Sequence, residues 1–157
     1  MRILLTVLFL SLAFGQPRET PYRRWVTEDV VYIISAAERA AFNGLVKDWE
    51  RQRFIEQFWL QRDPSPDTLE NEYKEEHYRR IAYANEHFAS TKTAGWKTDR
   101  GRMYIVYGPP DEIESHPPAR ESWRYHRLEG IGVNVTMDFS DPKGTGEFPM
   151  TIDPRAK

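Results

Sequence analysis

Hydrophobic periodicity changes partway along the chain, and that change limits the fold more than any other feature of the sequence. Up to about Thr93 the apolar residues recur mostly at helical spacing. Beyond it they alternate with polar residues, most clearly where Val133, Val135, Met137 and Phe139 are interleaved with Asn134, Thr136 and Asp138. Helices first and strands later imply an α+β class, with N-terminal helices packed on a C-terminal antiparallel sheet in a single domain. The sequence contains no internal repeat and no low-complexity tract.

Composition narrows the chemistry. The 157 residues are 39% hydrophobic and 13% aromatic, enough for one aromatic-rich core and too aromatic for a disordered chain. Cys is absent, which excludes thiol nucleophiles, disulfides, thiolate zinc sites and iron–sulfur clusters. Lys and Arg number 22 against 24 Asp and Glu, for a formal charge of -2. With no basic excess and no aromatics interleaved with a basic stripe, a nucleic-acid partner is not expected.

The first residues predict export. Arg2 precedes an apolar run from Ile3 to Phe14, and Ala13-Phe14-Gly15 sets small residues at the -3 and -1 positions of a cleavage site. The run is too short for a permanent membrane span. Residues 1–15 are therefore expected to be a signal peptide, residues 16–29 an extended leader carrying Pro17 and Pro21, and residues 30–157 the folded domain. No second long apolar stretch exists, so no transmembrane anchor is expected after cleavage. The protein should be soluble, in the periplasm or outside the cell.

Within the domain, Val30–Ile34 reads as a short β-branched strand. Ser35 and Glu38 have capping-box spacing, so a helix should run from there to Asn43-Gly44. A second helix spans Asp48–Arg62 with Arg51 and Arg62 in its apolar arc, where each needs a carboxylate or carbonyl partner. Asp63-Pro64-Ser65-Pro66 is a rigid connector. Asp67 or Thr68 should cap a third helix reaching Phe88, with Tyr73, His77, Ile81, Ala84 and Phe88 on one face. Arg102–Tyr107 is apolar on both faces and reads as a central strand ended by Gly108-Pro109-Pro110. Trp123 and Tyr125 mark another strand. Asp141–Gly146 is a turn into a last, edge strand carrying Phe148, Pro149, Met150 and Ile152.

One motif stands out: Gly95-Trp96-Lys97-Thr98-Asp99, followed by Arg100-Gly101-Arg102. It resembles the signature of the GWxTD domain, a bacterial family often found on exported proteins. Phe58–Phe88 resembles the helix pair preceding that signature, and Gly108-Pro109-Pro110-Asp111-Glu112 and the Trp123–Tyr125 strand fit as well. The resemblance implies a fold family but no established activity. Two readings of the motif follow from its residue types. In the first it is a structural corner: Gly95 permits a tight backbone, Thr98 and Asp99 bond nearby amides, and Gly101 allows a reversal into the strand at Arg102. In the second, Trp96, Asp99, Arg100, Arg102, Asp111 and Glu112 face outward and form a charged binding pocket.

The other polar candidates divide the same way. His77 is a hydrogen-bonded core histidine or a functional one, and Asn85 bonds a loop backbone. Arg62, Asp63, Asn71 and Glu72 either form a buried ion network that locks the helix pair or line a cleft. The sequence has no nucleophile elbow, phosphate-cradling loop or dinucleotide fingerprint. Histidines 77, 87, 116 and 126 lack the spacing of a helical zinc pair, so neither metal nor cofactor is expected. The leading expectation is a non-catalytic interaction module of the cell envelope, binding a protein or glycan. The alternative is a small hydrolase acting on an envelope polymer, with Asp99, Asp111 and Glu112 as its carboxylates and Arg100 and Arg102 steering an anionic substrate.

Overall fold

A computed structural model describes residues 20–117 and 119–154. The signal peptide expected over residues 1–15, and the start of the leader, lie outside the described residues. The chain runs through helix α1 (Pro21–Arg24), a π-helical turn (Trp25–Asp29), α2 (Ala36–Asn43), α3 (Asp48–Leu60) and α4 (Glu72–His87). A 3-10 turn (Gly95–Lys97) leads into α5 (Asp99–Tyr107). Strands β1 (Glu112–His116), β2 (Arg120–Leu128), β3 (Gly132–Ser140) and β4 (Met150–Ile152) then form one antiparallel sheet in the order β1-β2-β3-β4. Helices followed by an antiparallel sheet is the expected α+β class, and β4 lies at an edge as Pro149 requires.

Four local expectations are corrected. Residues 21–29 are helical, not an extended leader. Pro21 occupies the first turn of α1, where a missing N–H costs nothing, and Thr20 Oγ1 accepts from Arg23 N. Trp25 is then buried, its ring 4.9 Å from Phe42 and 5.1 Å from Phe58. Val30–Ile34 forms turns instead of a strand. The Ile34 N–H bonds the Val30 carbonyl, and the Arg39 guanidinium takes the carbonyls of Val26 and Val31. The Val30 and Ile34 side chains at the two ends of the run are buried.

The third helix begins at Glu72 with Asn71 as its cap, not at Asp67 or Thr68. Thr68 instead folds back, its N–H and hydroxyl both bonding the Ser65 carbonyl. Arg102–Tyr107 is the body of α5 and not a central strand. An apolar run buried on both sides reads alike in either state, and here the Thr98 cap decides for the helix. Gly108, at φ 82°, ends it, its N–H bonding the Tyr104 carbonyl at 2.8 Å.

The core has two lobes. Trp25, Val26, Val30, Ile34, Phe42, Phe58 and Trp59 fill the one among the first helices. The other lies between α4, α5 and the inner face of the sheet, where Ala84, Met103, Trp123 and Met137 are wholly buried. Helix α4 joins them, His77 and Tyr78 packing on Trp59 while Ala84 and Phe88 enter the sheet lobe.

Candidate functional site

The signature segment is built into the core by backbone contact. Ala84, on α4, has no exposed surface. A Cβ at Gly95 would stand 1.8 Å from the Ala84 carbonyl oxygen, and one at Gly101 would stand 1.9 Å from the Gly95 carbonyl oxygen. Three backbones are therefore stacked at a distance only glycine allows. Both glycines serve close approach: Gly101 lies in α5 and makes no reversal into a strand. Buried Thr98 ties the layers together, donating its hydroxyl to the Gly95 carbonyl at 2.8 Å and accepting from Gly101 N at 3.1 Å. Trp96 is held at both ends, its N–H donating to Asn85 Oδ1 and its carbonyl accepting from the Tyr32 hydroxyl.

Two charged residues of the segment, Asp99 and Arg100, also tie it to distant parts of the fold. Asp99 accepts from Arg102 at 3.1 Å and from Met150 N at 2.8 Å, which fastens β4 to the start of α5. Arg100 is 9% exposed. Its guanidinium donates to Glu121 Oε2 and to the Gly146 carbonyl, and lies 4.1 Å from the centre of the Phe148 ring. Burial lowers its pKa, against the pull of the Glu121 carboxylate. The other Glu121 oxygen accepts from Trp123 Nε1. Below this knot Asp141 collects the amides of Thr145 and Gly146. Burial alone would raise its pKa, but these bonds hold it below the usual carboxylate range.

Asp111 and Glu112 lie elsewhere. Asp99 opens α5, whereas Asp111 and Glu112 follow its far end, about 13 Å along the helix axis. They belong to a depression of about 340 Å³ on the outer face of the sheet, with Arg124, His126, Asn134 and Thr136. Asp99, Arg100 and Arg102 do not line it, so the six residues do not converge on one pocket. Asp111 Oδ2 accepts from the His126 N–H at 2.6 Å and sits 3.1 Å from His126 Nδ1. Those two bonds lower its pKa, the backbone one most. Arg124 bridges Glu112 at 3.3 Å and Glu114 at 2.6 Å. Asn134 takes the left-handed conformation, φ 52°, which asparagine tolerates better than most residues.

The model of the GWxTD domain family matches residues 8–147. The chain belongs to the GWxTD-domain family. No curated protein and no solved structure matches it.

The GWxTD signature thus has a physical meaning here: Gly for stacking, Trp as a doubly tied residue, Thr as a cap and Asp as the fastener of an edge strand. The remaining candidates scatter. Arg62 Nη2 is shared between the two Glu38 carboxylate oxygens, at 2.8 and 2.9 Å, and Nη1 donates to the Phe58 carbonyl. It does not join Asp63 or Glu72 in an ion network. The Asp63 carboxylate is used locally by Ser65 N, and Glu72 is exposed in the first turn of α4. Asn71 accepts from Lys74 N and donates to the Trp59 carbonyl, joining the helix pair by an amide. His77 is buried, with Nε2 2.6 Å from the Asp29 carbonyl. A carbonyl only accepts, so Nε2 carries the proton, and burial lowers the pKa of the ring.

The sequence pattern places Glu38 in its capping box but does not pair it with Arg62, and it does not single out Glu121, Arg124 or His126 as site residues. Glu38 had a usable signal, because the apolar arc holding Arg62 demanded a carboxylate and the capping box supplied one. Arg124 and His126 could have been found from the alternation of β2, which points them away from Trp123 and Tyr125.

Proposed function

We propose that this chain is an exported, non-catalytic interaction domain of the cell envelope that meets a protein or glycan on the open face of its sheet. One observation carries the reading. Asp99 is engaged by Arg102 and the Met150 N–H, and buried Arg100 by Glu121, whereas Asp111, Glu112, Arg124, His126, Asn134 and Thr136 surround an open polar depression. Export rests on the charged start, apolar run and small-residue cleavage site of residues 1–15.

The test has two parts. Expression with the native N-terminus in a bacterial host should give an exported chain whose first residue is Gln16, as read by intact mass; retention of residues 1–15 in the cytoplasm would refute export. Purified chain should bind defined envelope glycans or proteins, and Arg124→Ala with His126→Ala should abolish binding at unchanged melting temperature. Full binding by that double variant would refute the sheet-face reading.

A second reading, a small hydrolase acting on an envelope polymer, is favoured by the Asp111–His126 pair. A carboxylate on Nδ1 orients an imidazole so that Nε2 can act as a base. If it holds, His126→Gln removes polymer cleavage measured by release of soluble fragments. If purified chain releases none, this reading fails.

A further inference from the structure

Strand β1 is a free edge of the sheet. It pairs with β2 on one side, and no strand lies on its other side among the described residues. Residues 112–116 are all exposed and make no backbone bond except to β2. One row of N–H and C=O groups is therefore without a partner among the described residues, the template that an added strand needs. The opposite edge is blunted, since β4 has three residues and follows Pro149. By contrast β1 has five, with no proline and an unbroken register on β2.

Alternation gives this edge two unlike sides. Ile113 stands opposite Trp123 and so lies on the helix-covered face, yet it is 54% exposed where Trp123 is wholly buried. Glu112 and Glu114 lie on the open face. Arg124 reaches both, at 3.3 and 2.6 Å, so one guanidinium serves two carboxylates whose side chains stay 56% and 45% exposed. The other arginine on that face of β2, Arg120, stands opposite His116 at the far end of the strand. The middle of the edge is therefore acidic above and apolar below.

We infer that β1 is a docking edge for an extended segment of a partner protein, one with basic residues at alternate positions and an apolar residue between them. In a strand added beside β1, the residues opposite Glu112 and Glu114 share the open face, and the residue opposite Ile113 shares the covered one. A basic–apolar–basic run meets all three, while the free backbone groups supply the hydrogen bonds. A second copy of this chain is a poor occupant, because antiparallel pairing of β1 with β1 over its whole length sets Glu114 against Glu114. The edge contact does not depend on the proposed sheet-face contact.

The test is an NMR titration of the full-length protein with the peptide acetyl-Lys-Val-Lys-Val-Lys-amide, read at the amides of residues 112–116. Saturable shifts and slowed hydrogen exchange of these amides are expected. Two versions of the peptide, N-methylated at alternate sets of residues, separate backbone pairing from charge attraction. Successive N–H groups of a strand point to opposite edges, so one version should bind and the other should not. Glu112→Gln with Glu114→Gln should weaken binding about fivefold or more at unchanged melting temperature. Arg124→Ala should strengthen it by freeing both carboxylates, whereas the sheet-face contact should be lost with Arg124 and His126, so the two readings fail separately. The proposal is overturned if the amides of residues 112–116 do not move, if acetyl-Glu-Val-Glu-Val-Glu-amide binds as tightly, or if the two N-methylated peptides bind alike. Protection of the same amides that grows with protein concentration in the absence of peptide would assign the edge to a second copy and overturn it as well.

Discussion

Gly95→Ala is the sharpest perturbation the structure offers. The new methyl carbon would lie 1.8 Å from the Ala84 carbonyl oxygen and 2.7 Å from Asn85 Cα, when such contacts hardly fall below 3.0 Å. Both obstacles are backbone, so no side chain can swing aside, and the signature segment must lift off α4 bodily. Overpacking of this kind costs about 1–3 kcal/mol. Lifting also stretches the Trp96–Asn85 and Thr98–Gly95 bonds, each worth about 1 kcal/mol. The expected total is about 3–5 kcal/mol, or a fall of about 10 °C in melting temperature for a chain of this size. The assay is urea unfolding followed by circular dichroism, with Gly130→Ala as the reference. Gly130 has φ 75° but open space around it, so its substitution carries only the conformational cost of about 1–2 kcal/mol. If Gly95→Ala destabilised no more than Gly130→Ala, the stacked-backbone account would be wrong.

Three further outcomes follow from the same geometry. Thr98→Val should cost about 1–2 kcal/mol by removing a cap and a buried donor together, whereas Thr98→Ser, which keeps the hydroxyl, should recover most of it in the same unfolding assay. Arg100→Met leaves Glu121 a nearly buried charge without its cation and should cost about 3–5 kcal/mol; the double variant with Glu121→Gln should be the more stable of the two. His77 has a folded pKa below its ordinary value of 6.5, so the unfolded chain binds the extra proton. Its contribution is complete above pH 6.5 and is lost as the pH falls toward the folded pKa. Comparison with His77→Gln over that range should show a shallower acid decline in the variant, and parallel curves would contradict the assignment.

The fold class and the antiparallel C-terminal sheet were legible because alternation in β3 and helical spacing in α4 each point one way. The capping box at Ser35 and the end of α2 at Gly44 were legible for the same reason, being local chemistry. What could not be read were segments whose state depends on distant partners. The β-branched run at Val30 is turned by its own Ile34-to-Val30 backbone bond, and Arg39, from the following helix, takes the Val31 carbonyl. Arg102–Tyr107 has no periodicity to separate helix from strand. For the candidate site, the inward turn of Arg100 was hidden because Glu121 and Gly146 are far along the chain. Likewise nothing local could say that Asp111 stands at the opposite end of a helix from Asp99.

Gly95, Thr98, Arg100 and Gly101 build the GWxTD signature into the core. Native-state amide hydrogen exchange of Trp96, Gly101 and Met150 tests it most directly. Their N–H groups bond Asn85, Thr98 and Asp99 respectively, bonds that tie the 3-10 turn to α4, close the cap of α5 and fasten β4 to α5. All three amides should exchange only through openings whose free energy approaches that of global unfolding, alongside the amides of the wholly buried Met103 and Trp123. Exchange of the three at the rate of free loop amides, while Met103 and Trp123 stay protected, would contradict it.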